Sequence, residues 1–456
     1  MVFCGFFGAS FAANVQRVQA SGPDAPGLRQ VAHLTLAASV RKALSGLDAR
    51  LLRHGWLMVF TAAAAQPLQN PLNLPNIVAQ SSASHPSVRA AVLDTRASED
   101  ELAAARYQRW PVVSAVLESN TGNAASTASR ALRLEQTVWD AGRVNARIGE
   151  NEVNVDINLA RTALQQQLLA LQAANAWQGL LESHAKVKVA QATLDKLQDY
   201  RAQIQRRIAA EVSPPIDLEL VQSRMLQTEV ELINAQTNVK TAITRLQQIS
   251  GLESLGAYVG QLQDMPGLAD TLSLQALFAS TDWELVAASH PSVNKARFEI
   301  RNADFRFKAK QAEQWPQVYV RLDQPMAGAS SKTAAFVGLR YSPGAGLSTL
   351  SEAQALASRT ASLEQTADSA RREIFEALNN DRDEFNKNRQ RLEALQSAVQ
   401  GADRVLGSYG RQFTAGRKTW QDLMNAVREL AQNQYALVEA NASMLGAMYR
   451  LQIRMG

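Results

Sequence analysis

The sequence predicts a mainly α-helical chain with a small β component, built from two copies of one structural unit. Three observations support this fold class. The hexapeptide at 83–88 recurs unchanged at 288–293, an offset of 205 in the numbering. Two long segments, 143–207 and 347–412, contain no proline and are rich in Ala, Leu, Gln and Glu. Each of them follows a pair of short segments in which apolar and polar residues alternate.

The composition excludes several classes of function. The formal net charge is +5, but residues 1–65 hold six basic and two acidic side chains, which leaves 41 basic and 40 acidic residues for 66–456. A nearly neutral body lacks the basic surface that nucleic acid requires. The five histidines show no metal-ligand spacing, and no phosphate-binding glycine loop is present. The single cysteine, Cys4, excludes a disulfide framework. We therefore predict no enzymatic activity, cofactor, metal or nucleic-acid partner.

The segment 1–65 predicts an N-terminal extension that ends in a signal peptide. Basic residues at 41–53 precede an apolar stretch from Trp56 to Ala65, whose Ala-rich end fits an A-x-A cleavage site before Gln66. The signal begins unusually late, which a true translation start near Val40 would explain. An ordinary short buried helix would have a similar composition.

The repeat divides the remaining chain into a first copy at 66–283 and a second at 284–456. Each copy opens with a helix whose proline, Pro86 or Pro291, stands in the first turn, where a missing N–H costs nothing. A Trp-Pro pair ends this helix in both copies. The same offset relates further pairs of sites: Trp110 and Trp315, Arg206 and Arg411, Asp217 and Asp422, Arg245 and Arg450.

Alternating residues predict hairpins at about 112–138 and 317–341. In the second hairpin, Val318, Val320 and Leu322 alternate with polar residues, and in the first, Leu132, Leu134 and Val138 do so. This alternation is typical of strands with one apolar and one wet face. A soluble hairpin would look the same, but the export signal and strand lengths near the ~9–11 residues of a transmembrane strand favour the membrane.

Four strands per chain cannot close a barrel around a pore, because about eight is the smallest number. The barrel must be shared, and three chains supply twelve strands. We therefore predict a homotrimer with a shared 12-stranded transmembrane β-barrel and an α-helical tunnel. The tunnel is a coiled-coil α-barrel, built from the long helices at 143–207 and 347–412, which span roughly 100 Å at 1.5 Å per residue, and from return helices at 217–250 and 422–455. Residues 251–283 form an equatorial segment.

The ordered set of features resembles the TolC family of outer-membrane efflux proteins over residues 75–456. Its carriers are the duplicated His-Pro-Ser-Val helix starts, the Trp-Pro pairs before the strands, Asp140-Ala141-Gly142-Arg143 before the first long helix, and the tips that end in Asp-Leu. The sequence looks closest to the branch that serves type I secretion of adhesins. The resemblance implies a passive, porin-like channel in the outer membrane of a Gram-negative bacterium, in contact with its lipid and with a large periplasmic part.

In the family, an inner-membrane transporter and a periplasmic membrane-fusion adaptor dock at the helix-turn-helix tips. The family tip has the pattern Gly-x-x-x-x-x-Asp, which the second copy keeps with Gly416 and Asp422. The first copy has Glu211 in place of the glycine, followed by Pro214 and Pro215, so its tip loop is expected to differ.

The resemblance also implies a gate at the periplasmic entrance. Asp217, Phe413 and Lys418 fall where the family places an aspartate, a tyrosine and an arginine that tie the closed entrance together. Phe413 lacks the hydroxyl, and Lys418 lacks the bidentate fork of arginine. The entrance aspartate ring of the best-known member of the family falls at Asn425, so this chain is expected to lack that cation-binding ring. A first-turn carboxylate favoured by the helix dipole explains Asp217 and Asp422 equally well.

Three functions remain open at this stage. The first is the outer-membrane conduit of a type I secretion system, which passes an unfolded polypeptide, an adhesin, from an ABC transporter. The second is the exit duct of a drug or metal efflux pump of the RND type. The third is a periplasmic coiled-coil scaffold without a pore.

Overall fold

A computed structural model of the protein describes residues 73–119, 128–262, 265, 272–327, 332–342 and 344–456. All of them belong to one unit, Gln69–Gly456. The predicted extension and signal peptide at 1–65 lie outside the described residues, as do the hairpin ends at 120–127 and 328–331.

The elements follow one another in two similar series. The first series is α1 (Leu74–Ser84), α2 (Pro86–Tyr107), β1 (Val112–Ser119), β2 (Ala128–Trp139), α3 (Arg143–Ala209) and α4 (Ile216–Ser250). A 3-10 helix (Glu253–Gln261) and α5 (Leu272–Ser280) lead to the second series. That series is α6 (Trp283–Ser289), α7 (Pro291–Ala312), β3 (Gln317–Ala327), β4 (Ala334–Arg340), a 3-10 turn (Ala345–Leu347), α8 (Ser348–Thr414) and α9 (Trp420–Met455). The prediction of a mostly helical fold with a small antiparallel sheet is confirmed.

The two copies match residue for residue in their main helices. Helices α2 and α7 each have 22 residues, α3 and α8 each have 67, and the two members of each pair begin and end at the offset of the repeat. At 1.5 Å per residue, α3 and α8 are each roughly 100 Å long. None of the helices in the described ranges is long and apolar enough to cross a membrane.

The repeated histidines begin the opening helices. The Nδ1 atoms of His85 and His290 each accept a hydrogen bond of 3.2 Å from the backbone N–H two residues later. Each histidine is followed by a proline in the first helical turn, which fixes the backbone for helix initiation. The recurring His-Pro-Ser motif is therefore a helix start in both copies.

The four strands form one antiparallel sheet in the order β1-β2-β3-β4. Leu134 pairs with Val113 on one side and with Leu322 on the other, so the apolar positions of three strands lie side by side. The register between β2 and β3 shifts after Thr137 and leaves Val138 without a partner there. Strict alternation, which grouped Val138 with Leu132 and Leu134, is therefore wrong at this position, because a bulge breaks the period of two.

The long helices pack through two hydrophobic clusters. The equatorial core joins α1, α3, α4, the 3-10 helix at Glu253–Gln261, α5, α6, α8 and α9 around Leu180, Leu246, Phe385 and Met444. The tip core joins the far ends of α3, α4, α8 and α9 around Ile204, Val221, Phe413 and Leu423. Helix α9 packs against both α8 and α3, whereas its counterpart α4 packs along its length against α3.

A buried network of charged groups lies beside the equatorial core. Arg450 on α9 donates to Asp381 Oδ1 and to Glu384 Oε2 on α8, each at 2.6 Å. Arg454 Nε lies 3.3 Å from the other oxygen of Asp381. The side chains of Arg450 and Asp381 are only 13% and 9% exposed, so these charges depend on one another.

Candidate functional site

One face of the sheet is apolar. Residues that alternate along the strands bring apolar side chains together on this face: Val113, Ala115, Leu132, Leu134, Val318, Val320, Leu322, Val337 and Leu339. Several of them are largely exposed, including Val337 at 78% and Leu339 at 66%. In water such a face must be covered, since exposed contiguous apolar surface marks a partner or a membrane.

The opposite face carries paired charges. Arg133 and Arg321 both contact Asp323, at 3.0 and 3.2 Å. Arg340 reaches Glu135 across the intervening strand at 3.0 Å. The guanidinium of Arg321 also lies over the ring of Phe336, and that of Arg340 over Tyr319. This face suits contact with water, and the sheet therefore has the two-sided character of a wall between an apolar and an aqueous space.

Both the sheet and the helical layer end in open edges. Strands β1 and β4 each pair with one neighbour within the described residues. No side chain of α8 between residues 354 and 377 is buried, whereas the matching stretch of α3 buries Gly149, Val153, Ile157, Leu169 and Ala170. The reason is that α3 packs against α2 of its own copy and also against α7 and α9 of the second copy, whereas the extensive contacts of α8 within the described residues are all with α6, α7 and α9 of its own copy.

The two helix-turn-helix tips share one backbone geometry. At the first tip, Glu211 adopts a left-handed φ of 59°, and the N–H of Val212 donates to the Arg207 carbonyl. At the second tip, Gly416 has a φ of 73°, and the N–H of Arg417 donates to the Gln412 carbonyl. The turn that ends α3 therefore matches the turn that ends α8, contrary to the expectation from Glu211. A left-handed non-glycine residue costs roughly 1–2 kcal/mol, which this tip tolerates.

The helices that follow the two turns begin differently. In the second copy, Thr419 and Asp422 form a reciprocal capping box at the start of α9. The hydrogen bonds from the Thr419 hydroxyl and backbone lower the pKa of Asp422, and Lys418 contributes less. In the first copy, Pro215 precedes α4 and supplies no side-chain cap. The two tips thus differ at the start of the second helix, where the first copy has Pro214 and Pro215 in place of a capping box. Asp422 serves as a helix-start carboxylate.

We expect the two tips to respond oppositely to exchange of their left-handed residues. Glu211→Gly relieves the backbone and should slow hydrogen exchange of the first-tip amides about twofold. Gly416→Glu should accelerate exchange at the second tip about fivefold, because the added Cβ meets open space and the cost is that of the backbone alone. Equal exchange in both variants and the parent chain would contradict the strain at Glu211.

Aromatic side chains join the two tips of one chain. The Phe413 ring lies 5.1 Å from Trp420, and Tyr200 meets Trp420 edge-on at 6.1 Å. The Arg207 guanidinium covers Phe413 at 4.6 Å from the ring centre. Phe413 is only 5% exposed, so its side chain belongs to the tip core, where the hydroxyl of a tyrosine would need a buried partner.

The other residues predicted for the gate lie at the tip surface. The Lys418 ammonium lies 4.4 Å from the centre of the Tyr409 ring and 3.9 Å from Asp422. Burial raises the pKa of Asp217, and the charge of Arg207 opposes this shift. Asn425 is exposed on α9. Among the described ion pairs of one chain, Asp217 and Lys418 do not meet each other.

Sequence reasoning missed the residues that hold the tip together. Tyr200, Arg207, Tyr409 and Trp420 all contact the predicted gate residues or one another. Their positions in the sequence could have indicated this role. Tyr200 and Arg207 lie in the last turns of α3, and Trp420 is the first residue of α9, so all three lie next to the predicted tips. No group of three or more potential metal ligands occurs in the ranges that the structure describes.

The chain is similar to known proteins both in part of its sequence and in its fold. Residues 77–252, less than half of the chain, match the family model described as Outer membrane efflux protein. No curated protein matches the chain by sequence. Among solved structures, CusC is similar at a TM-score of 0.74 with 15% identity, over 84% of this chain and 92% of that one.

Two further structures have the same fold. The outer membrane protein VceC from Vibrio cholerae has a TM-score of 0.70 and 14% identity, over 84% of this chain and 96% of that one. The MtrE outer membrane channel of Neisseria gonorrhoeae has a TM-score of 0.68 and 14% identity, with coverage of 84% and 88%. At such identities the likeness establishes the fold of the chain and leaves its cargo open.

Proposed function

We propose that the chain is one subunit of a trimeric export channel in the outer membrane of a Gram-negative bacterium, and that it works as a passive duct. The observation that carries the proposal is the four-stranded sheet, which is apolar on one face, ion-paired on the other and open at both edges within the described residues. The match of residues 77–252 to the outer membrane efflux family supports the same conclusion.

The open sheet edges explain how a barrel forms. Strand β4 of one subunit pairs with β1 of the next, so that three subunits close a twelve-stranded barrel. Its apolar face, with Val320 and Leu339, turns to the lipid, and its charged face, with Arg133 and Asp323, lines the water-filled interior. This assignment follows the outward-apolar, inward-polar rule of membrane barrels.

The open helical edge explains how the tunnel forms. The stretch of α8 between 354 and 377, which buries no side chain in the single chain, is covered by α2 and α4 of the next subunit. Helices α7 and α9 cover α3 in the same way within the chain. The exposed apolar side chains of α4, which include Leu226, Val230 and Ile233, then pack against α8. The helices extend roughly 100 Å from the barrel, far enough to give the protein a large periplasmic part.

The partners follow from the passive character of the duct. A periplasmic membrane-fusion adaptor docks at the tips around Glu211, Pro214, Pro215, Gly416 and Asp422. An inner-membrane transporter, of the ABC or RND type, supplies the energy. Both partners act at the end of the helices that lies farthest from the sheet.

Two cargoes suit this duct. The resemblance to the type I secretion branch favours an unfolded polypeptide, an adhesin, whereas the description of the matched family favours small-molecule efflux, as of drugs or metal ions. Deletion of the gene in its host separates them. Loss of a large protein from the medium indicates secretion, and increased sensitivity to toxic small compounds indicates efflux.

Planar-bilayer recording tests the duct itself. Protein extracted from the outer membrane should insert and conduct as a water-filled pore with discrete steps. The extracted protein serves as its own control after heat dissociation, because a single four-stranded sheet cannot close a pore. A protein that assembles but never conducts is a periplasmic scaffold and contradicts the proposal.

The entrance gate is proposed as a latch between Asp217 of one subunit and Lys418 of its neighbour. Each exposed pair is worth only ~0–1 kcal/mol, but three of them bias the closed state. Asp217→Ala and Lys418→Ala should each raise single-channel conductance, and the double variant should add little. Lys196→Ala, which removes an exposed pair on the shaft, should leave conductance unchanged. Parent-like conductance of both single variants at low salt, where screening is weakest, rules the latch out.

A further inference from the structure

The duplication provides a template for the contact between subunits. The chain contains one internal junction, at which α3 of the first copy packs against α9 of the second. In a closed ring of three chains, the second copy of each subunit must also meet the first copy of the next. Helices α3 and α8 match without insertion or deletion, and α4 and α9 end at the offset of the repeat. Each contact between α3 and α9 within one chain therefore predicts an equivalent contact between α8 of one subunit and α4 of the next.

The internal junction is held by Arg450. Its Nη1 atom donates to Gln178 Oε1 on α3 at 3.0 Å and lies 3.4 Å from Asn175 Oδ1. One turn earlier on α9, the carboxamide of Gln178 lies against Gly446, in the space that a Cβ there would occupy. The junction therefore has a polar contact at Arg450 and a close contact between the Gln178 side chain and Gly446.

Moving each residue by the offset of the repeat gives the corresponding pair. Arg450 becomes Arg245 on α4, Gln178 becomes Asp383 on α8, and Gly446 becomes Thr241. We infer that Arg245 of each subunit forms an ion pair with Asp383 of the neighbouring subunit and that Thr241 packs against the same aspartate. This inference rests on the proposed trimer and adds the register in which its helices meet.

The charges of the two copies support this register. Arg450 is held within its own copy by Asp381 and Glu384, but the matching residues of the first copy are Ala176 and Gly179, which carry no charge. Arg245 is exposed in the single chain. The side chain of Asp383 is 71% exposed there. The template thus places two opposite, exposed charges together.

The volumes of the side chains also agree. Thr241 adds a side chain where the internal junction has the bare Cα of Gly446, and Asp383 is one methylene shorter than Gln178. The gain on one helix offsets the loss on the other, so the two helices approach to a similar distance. The Thr241 hydroxyl, which donates to the Thr237 carbonyl in the single chain, then also lies beside the carboxylate of Asp383.

Cysteine crosslinking in the assembled full chain tests the register. In a Cys4→Ser background, Thr241→Cys with Asp383→Cys should give a covalent trimer on a denaturing, non-reducing gel, because the template brings these Cβ atoms near the separation of ~3.5–4.5 Å in disulfides. Gln178→Cys with Gly446→Cys is the matched control and should link within one chain, which runs as a monomer. Thr237→Cys with Asp383→Cys, displaced by one helical turn of ~5.4 Å, should not link.

A charge exchange provides a second readout. Arg245→Glu should speed dissociation of the trimer about fivefold at low salt, and added Asp383→Lys should restore the parent rate. If the protein is trimeric by native mass and links through Thr237 but not Thr241, the inferred register is wrong while the proposed channel stands. If native mass shows no trimer, the proposed function fails together with the inference.

Discussion

Asp381→Ala is expected to lower the free energy of unfolding by about 3 kcal/mol. The substitution leaves Arg450 with one carboxylate, Glu384, and removes the only carboxylate that contacts Arg454 among the described ion pairs. Breaking a buried ion pair from one side is costly because the remaining charge stays desolvated, and losses of ~3–5 kcal/mol are typical. Thermal unfolding of the detergent-extracted protein, followed by helical circular dichroism, measures the effect.

Asp304→Ala is the matched control for this prediction. Asp304 pairs with Lys308 at 2.7 Å on the surface of α7, where both side chains are about half exposed. Exposed ion pairs on one helix face contribute ~0.3–0.5 kcal/mol, so the midpoint of thermal unfolding should change very little. Equal shifts in the two variants would show that the network beside the equatorial core is no more than a surface feature.

His290 is expected to make the protein sensitive to acid. Burial, and secondarily the charge of Arg454, lower the pKa of His290 from 6.5 to about 4, and the side chain is only 5% exposed. The unfolded chain therefore binds a proton below pH ~6.5 that the folded chain does not bind until about pH 4. Stability is full above pH ~6.5 and falls as the pH drops towards 4, by about 3 kcal/mol.

His290→Asn isolates this contribution. Asparagine still caps the helix but cannot be protonated, so the loss of stability between pH ~6.5 and 4 should shrink by the contribution of one proton. His85→Asn, at the half-buried matching site, controls for the change of the capping residue from histidine to asparagine. Unfolding midpoints across this pH range measure the difference, and parallel curves for parent and His290→Asn would contradict the buried, neutral histidine.

The sequence predicted the large features of the fold because they are local and repeated. The long helices lie at Arg143–Ala209 and Ser348–Thr414, close to the predicted bounds, since uninterrupted helix-forming residues leave few alternatives. The hairpins follow from a period of two. Because of the duplication, each element occurs twice, so a sequence pattern that is weak in one copy is supported by the other copy.

The features that the sequence did not predict depend on tertiary contacts. The short helices α1, α5 and α6 have no strong periodicity, and their contacts with the equatorial core determine their positions. Glu211 adopts a left-handed conformation that favours glycine, because the turn that ends α3 fixes its backbone. Phe413 was predicted as a gate residue from a resemblance, but its burial beneath Arg207 depends on the meeting of two helices from different copies of the repeat.

The number of subunits in the extracted protein tests the central claim most directly. We propose that one chain forms a third of a channel, because its sheet and its helical layer both end in open edges within the described residues. Native mass spectrometry of protein released from the outer membrane in detergent should give three copies of the chain. A mass of one or two copies, with the same pore conductance in bilayers, would contradict it.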